Sequence, residues 1–321
     1  MKNRARLSCA IIAIAGAGLA APLAAQAAEA TTLTIFAAGT LAAPFKEIDA
    51  LFEKKYPNVK VQVQYGGSVK MAKQITDLHK QADLLAVADY SVIPKYMFAK
   101  PAHAKWYVGF ARNAITFVYT DKSKGAAKIN AKNWYKVMAE KGVEIGRSNP
   151  DTDPSGYQTV QMLNLANKYY KDPNLEKNVL ANAPLKNMRD TETSLIAALQ
   201  LGQIDYLAIY RSDALQHHLK FIDMPAKINL SNPANSAYYK TGVVHTKNGP
   251  LTGKPIVYAI TMVDGAAHAD AAEKYVAFLL GPQGQGVMKK NGFGEFKPAY
   301  AVHKDDMPAS LQKIVEPWPA S

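Results

Sequence analysis

Between Thr32 and Leu78 the chain runs twice through the same cycle of strand, glycine-bearing turn and helix, and no other feature restricts its fold so strongly. Thr32-Leu33-Thr34-Ile35-Phe36-Ala37 is a β-branched and apolar run of the length of one buried strand. After Gly39-Thr40, apolar side chains recur at Leu41, Phe45, Ile48, Leu51 and Phe52, the spacing of a single helical face. Val59, Val61, Val63 and Tyr65 then alternate as a strand, Gly66-Gly67-Ser68 breaks it, and Val69, Ala72, Ile75 and Leu78 restart a helical stripe. Asp83-Leu84-Leu85-Ala86-Val87-Ala88 is a short continuous apolar run of the kind found inside a parallel sheet covered on both faces. The pattern predicts an α/β fold that opens with a βαβαβ lobe.

The 321 residues leave room for a second unit. An extended aromatic and β-branched stretch from Tyr107 to Tyr119 leads into further elements that end at Ile204-Asp205-Tyr206-Leu207-Ala208-Ile209-Tyr210, read as a second α/β lobe. Ser231 to Gly253 is rich in Asn, Pro, Gly and Tyr; beyond it, Pro255–Val263 reads as a strand and Ala271–Leu280 as a helix, both returning to the first lobe. The expected division is 28–112 with 236–321 for lobe I and 113–235 for lobe II, with hinges near Ala111–Ile115 and Ser231–Ser236.

The first residues have the grammar of a secretory leader. Lys2, Arg4 and Arg6 precede an uncharged run from Leu7 to Ala25, and Ala25-Gln26-Ala27 fits the small-x-small rule for cleavage. Ala28-Glu29-Ala30 fits it too; the first site is preferred, giving a cleaved signal peptide at 1–27 and a periplasmic destination. The competing readings are an uncleaved anchor and lipidation at Cys9, which has Arg6 close before it rather than an apolar core. Cleavage removes the only Cys, so the mature chain has no disulfide. It also lowers the excess of basic over acidic residues from 12 to 9, which still favours anionic partners.

Four helix starts could present hydroxyls and free N–H groups to an anion: Gly39-Thr40, Gly66-Gly67-Ser68, Asp153-Pro154-Ser155 and Thr191-Glu192-Thr193. Each alone reads as an ordinary turn or cap. All four, however, follow strands in an α/β pattern, where loops at the carboxyl ends of parallel strands converge on one crevice. The chain carries no GxSxG elbow, HExxH, Walker loop or dinucleotide fingerprint. His217-His218 are adjacent and point about 100° apart on a helix, unsuited to chelating one metal. Lys168-Tyr169-Tyr170-Lys171 reads as an exposed helical segment rather than a nucleic-acid surface.

Together these blocks resemble the periplasmic substrate-binding proteins of ABC importers, specifically the tungstate/molybdate-binding group. The resemblance rests on Ile35-Phe36-Ala37-Ala38-Gly39-Thr40-Leu41, Gly67-Ser68-Val69, Ala86-Val87-Ala88-Asp89-Tyr90 and Trp106-Tyr107-Val108-Gly109-Phe110. It continues through Asp153-Pro154-Ser155-Gly156-Tyr157, Ile204-Asp205-Tyr206 and Gly253-Lys254-Pro255-Ile256-Val257-Tyr258. It implies a two-lobed periplasmic-binding-protein fold of type II with the ligand cleft between the lobes. It further implies oxyanion contacts from Gly39, Thr40, Ser68, Asp153, Pro154, Ser155, Glu192 and Tyr210, with Asp153 and Glu192 as possible direct ligands to tungsten or molybdenum. Thr40 stands where the family commonly has Ser, and Ile209 where it commonly has an acid. The expectation is a monomeric, non-catalytic carrier with no cofactor, binding tungstate or molybdate and partnered by an importer permease, without nucleic acid. The alternative is an enzyme on the same bilobal fold acting on a small anionic substrate.

Overall fold

The computed structural model describes residues 30–319, so the expected leader at 1–27 lies outside the described residues. Two sheets organise the chain. The first begins as the sequence pattern requires, with β1 (Thr31–Ala38), α1 (Ala42–Lys55), β2 (Val59–Gly66), α2 (Ser68–Thr76) and β3 (Leu84–Val87). β1 lies between β2 and β3 and is parallel to both.

Strand periodicity divides β1 and β3 between two apolar layers. Leu33, Ile35, Leu84 and Ala86 join Phe45, Ile48 and Phe52 of α1 and Tyr275, Phe278 and Leu279 of the helix Ala269–Leu280. Phe36, Leu85 and Val87 face the other way, onto Val69, Ala72 and Ile75 of α2. The Phe52 and Tyr275 rings meet edge to face at 5.1 Å. Phe52 is completely buried there, and truncating it to Ala would cost about 3–5 kcal/mol.

The extended stretch at 107–119 is two strands rather than one. β4 (Tyr107–Arg112) belongs to the first sheet and β5 (Ile115–Tyr119) to the second, so Asn113-Ala114 is a crossing between lobes. The second sheet is completed by β6 (Ile145–Ser148), β7 (Met188–Arg189), β8 (Tyr206–Tyr210) and β9 (Lys220–Phe221), in the order β7-β6-β8-β5-β9. β6 is parallel to β7 and β8, whereas β5 is antiparallel to β8.

The return differs from expectation. The helix Ser236–Tyr239 and a hairpin of β10 (Val243–Thr246) and β11 (Gly249–Thr252) still pack on α3 (Pro154–Tyr169), the long helix that follows β6. Tyr238 donates to the Leu165 carbonyl and Gln161 to that of Leu251. The chain rejoins the first sheet only at β12 (Val257–Met262), so the boundary expected at 235/236 falls about twenty residues early. β12 runs antiparallel to both β3 and β4, which makes the first sheet mixed, not purely parallel. The physical reason is that a chain returning directly from the other lobe has no crossover helix to restore a parallel direction. β13 (Tyr300–Val302) and β14 (Glu316–Pro317) complete the far edge.

Candidate oxyanion site

The five strands β1, β2, β6, β7 and β8 end toward the junction of the lobes, and each end carries one group of the expected site. β1 delivers Gly39 and Thr40 through a single 3-10 turn, and Thr40 is buried with its hydroxyl 2.9 Å from that of Tyr258 on β12. β2 delivers Ser68. The cap of α2 is Gly67, not Ser68, which is the first helical residue. Ser68 Oγ instead accepts the Ala88 N–H at 3.0 Å, which leaves its one proton free to donate elsewhere.

β6 delivers the Asp-Pro-Ser segment. Gly156 makes this possible: a Cβ there would lie 2.7 Å from backbone atoms of Ser148, Asn149 and Pro150, so only Gly lets α3 start flush against the strand end. Pro154 occupies the first helical position, where a missing N–H costs nothing. Asp153 sits at the cap position but makes no capping hydrogen bond. Its carboxylate lies 2.6 Å from Ser155 Oγ, which is also 2.6 Å from Ser148 Oγ and 2.8 Å from Glu192 Oε2. Glu192 comes from β7, at the start of a 3-10 turn that enters α4 (Ile196–Gln200).

Ser155 has one proton and cannot serve both carboxylates. Asp153 and Glu192 are 4% and 2% exposed, so a second proton must be held between them. Burial, reinforced by the neighbouring Asp153 and Asp213 charges, pushes Glu192 well above its ordinary range; burial raises Asp153 as well. Both directions favour a protonated form, so the pair carries less negative charge than two free carboxylates.

β8 ends in Tyr210, fully buried, whose hydroxyl donates to Gln158 Oε1 at 2.7 Å. The structure joins Asp153, Ser155 and Glu192 by hydrogen bonds and buries Thr40, Ser68 and Tyr210 at neighbouring strand ends, where their hydrogen bonds run to Tyr258, Ala88 and Gln158 instead. It adds others that the sequence reading passed over. Tyr258 backs Thr40, and Asn113 at the crossing donates to Ser212 at 2.8 Å while accepting the Ala114 and Ser212 N–H groups. Asp213 on α5 (Arg211–Gln216) is 1% exposed, and its Oδ2 has no hydrogen-bond partner among the described residues. Burial, then the Asp153 charge, raises its pKa well above normal. The signal was available: α5 is a fifth helix start after a strand, disguised because it carries neither Gly nor Pro.

The two lobes are in contact across this site. A Cβ on Gly67 would lie 2.5 Å from the Thr152 carbonyl oxygen and 3.0 Å from that of Asp190. A Cβ on Gly39 would lie 3.2 Å from Thr193 Oγ1. A buried latch reinforces the contact: Tyr157 of α3 donates to Asp89 Oδ2 at 2.7 Å, and Lys254 Nζ lies 3.1 Å from the same oxygen. Burial opposes ionisation of Asp89, but the Lys254 charge and the hydrogen bonds from Tyr157 and Ser91 outweigh it and hold the carboxyl below its ordinary value. A cavity of about 640 Å³ lined by Gly39, Tyr65, Thr191, Thr193 and Asp213 lies beside the site, between the lobes.

Among the described residues no group of three or more His, Cys, Asp or Glu side chains converges to hold a metal ion. Any centre bound through Asp153 and Glu192 would take two protein ligands and keep its own oxygens, as the central atom of an oxyanion does.

Residues 33–294 match the family described as bacterial extracellular solute-binding protein. A solute-binding protein of Petrotoga mobilis is 37% identical over 290 residues, covering 88% of this chain and 90% of the relative. A molybdate/tungstate-binding protein of Pyrococcus abyssi is 35% identical over 312 residues, with 88% and 90% covered. Among solved structures, the periplasmic molybdate-binding protein of Azotobacter vinelandii superposes with a TM-score of 0.61 at 17% identity, covering 83% of this chain and all of that one. The sulfate-binding protein SubI of Mycobacterium tuberculosis gives 0.59 at 14% identity, covering 84% and 88%. With the paired sheets and the strand-end cleft, these likenesses establish the two-lobed binding-protein fold, and the chain belongs to the bacterial extracellular solute-binding proteins.

Proposed function

We propose that this chain captures molybdate or tungstate outside the cytoplasmic membrane and delivers it to the permease of an ABC importer, without catalysing a reaction. The observation that carries the reading is the convergence of Thr40, Ser68 and Ser155 with the proton-sharing pair Asp153 and Glu192, all buried where the lobes meet. A hydroxyl with a free proton in a dry crevice, as at Ser68, suits an oxyanion. The carboxyl pair suits one whose central atom can accept further oxygen ligands, which tungsten and molybdenum do and sulfur does not. The names of the relatives from Pyrococcus abyssi and Thermococcus kodakarensis, both molybdate/tungstate-binding proteins, support the same ligand class.

On this reading the chain is a monomer with no resident cofactor, Gly39, Pro154 and Tyr210 complete the wall of the site, and residues 1–27 are removed on export to the periplasm. Lobe I is 28–112 together with the chain from β12 onward. Calorimetry with molybdate, tungstate, sulfate and phosphate on the mature protein tests it. Tight one-to-one binding of the first two, with sulfate and phosphate far weaker, is expected; equal or preferred binding of sulfate would overturn it.

A further inference from the structure

A second cavity, of about 410 Å³, lies where the chain crosses between the lobes and contains none of the eight residues of the oxyanion site. Its walls include Arg112 at the end of β4, Asn113 of the first crossing, and Arg211 at the start of α5. The two arginines come from different lobes. Arg112 stacks over the Phe296 ring at 5.2 Å and Arg211 over the Phe221 ring at 5.4 Å. Stacking fixes the plane of each guanidinium and leaves its N–H edges facing outward.

Among the described residues neither guanidinium has a hydrogen-bond or ion-pair partner for those edges. Among the described residues no carboxylate lies within 4 Å of Arg112 or Arg211, and the Arg112 Nε is buried without any hydrogen-bond acceptor. The cavity also has two acids, Asp223 and Glu295, but both are exposed at its rim. Glu295 lies 3.9 Å from both Lys289 and Lys297, which offset its charge, and exposed charges are screened over about 10 Å at moderate salt.

We infer that this cavity is a second anion site, which takes a small multivalent oxyanion of phosphate or carboxylate type between Arg112 of one lobe and Arg211 of the other. The planar fork of each arginine matches two oxygens of such a group, and two guanidinium charges favour a multivalent anion over a monovalent one. Asn113 links this site to the first, because its side chain lines the crossing and donates to Ser212, beside Asp213.

Calorimetry on the full mature chain tests this, using inorganic pyrophosphate and citrate in separate titrations with molybdate present throughout. At least one of the two should bind once per chain. Arg112→Gln and Arg211→Gln should each weaken that binding by about tenfold or more, while the melting temperature and molybdate affinity stay at the parental values. If neither pyrophosphate nor citrate binds, or if either variant binds as tightly as the parent, the site is refuted. Should Arg112→Gln fail to fold, Arg211→Gln, at an exposed position, decides alone. Crystals soaked in selenate locate the ion by its anomalous scattering: a peak between the two guanidiniums supports the site, and a peak only among the cleft hydroxyls overturns it. The calorimetric result leaves the reading of the cleft unaffected, because molybdate is present throughout.

Discussion

Replacing Gly67 by alanine should hold the cleft open while leaving each lobe folded. The backbone at Gly67 (φ −60°, ψ 135°) is one that alanine adopts freely, so the substitution strains nothing within the first lobe. The three nearest atoms that its Cβ would meet all belong to the second lobe: the Thr152 oxygen at 2.5 Å, the Asp190 oxygen at 3.0 Å and the Asp153 Cβ at 3.1 Å. Reaching ordinary contact with the first requires about 0.9 Å of separation, since van der Waals contact begins near 3.4 Å. That would break the hydrogen bond from the Lys70 N–H to the same Thr152 oxygen, now 3.3 Å, and draw Asp153 away from the ligand. The exposed Lys70–Asp190 pair adds little in either state. Overpacking of this kind costs about 1–3 kcal/mol, so molybdate affinity should fall roughly 5- to 150-fold. Calorimetry measures the loss, and small-angle scattering should show that the variant compacts less than the parent with saturating molybdate. The melting temperature without ligand should barely change. A variant that binds and compacts like the parent would show that these backbones do not meet in the bound state, and the idea that the lobes close on the anion across Gly67 would fail.

Ser68→Ala should weaken molybdate binding about tenfold to a hundredfold, because the hydroxyl accepts from Ala88 and its proton is free for the anion; unchanged calorimetry would return Ser68 to a structural role. Glu192 has a raised pKa in the folded chain, so the stability it contributes is complete below its ordinary value near 4.5 and is lost as pH rises through the raised value. Melting temperatures across that range should fall for the parent and fall less for Glu192→Gln; parallel curves would refute the shared proton. Asp153→Asn should lose more tungstate than sulfate affinity if the carboxylate bonds the metal centre, and X-ray absorption at the tungsten edge should show more than four oxygens; a four-coordinate species would refute direct ligation while leaving oxyanion binding intact.

What could be read from the sequence was whatever local pattern determines. Alternation and helical spacing placed β1, α1, β2, α2 and β3, and Gly or Pro beside a hydroxyl marked the strand ends at Thr40, Ser68 and Ser155. Glu192 lacks that mark: Thr191-Glu192-Thr193 reads as a helix start from the sequence, and only the resemblance to a family makes Glu192 a ligand. Features set by distant partners left no trace in local spacing. Tyr258 meets Thr40 across 218 positions, and Asn113 meets Ser212 across 99. The direction of β12 depends on the route the chain takes back from the second lobe, and the packing of 236–252 on α3 depends on apolar contacts that composition does not rank. Asp213 follows β8 with neither Gly nor Pro to mark the turn, and a buried acid without a partner is unfavourable on stability grounds, so neither local pattern nor propensity points to it.

The Asp89–Tyr157–Lys254 latch has a kinetic consequence. Asp89 and Tyr157 join the lobes through contacts to each other, so their free energy enters the closed state whichever anion is enclosed. A contribution common to all ligands cancels from every affinity ratio but not from any escape rate. On the proposed reading the latch would set dwell time, and the cleft hydroxyls and carboxyls would set preference. Evolution or design could lengthen the residence of the cargo through Tyr157 without altering the rank order of the anions, and a permease that pulls Tyr157 from Asp89 would unload each of them by the same increment.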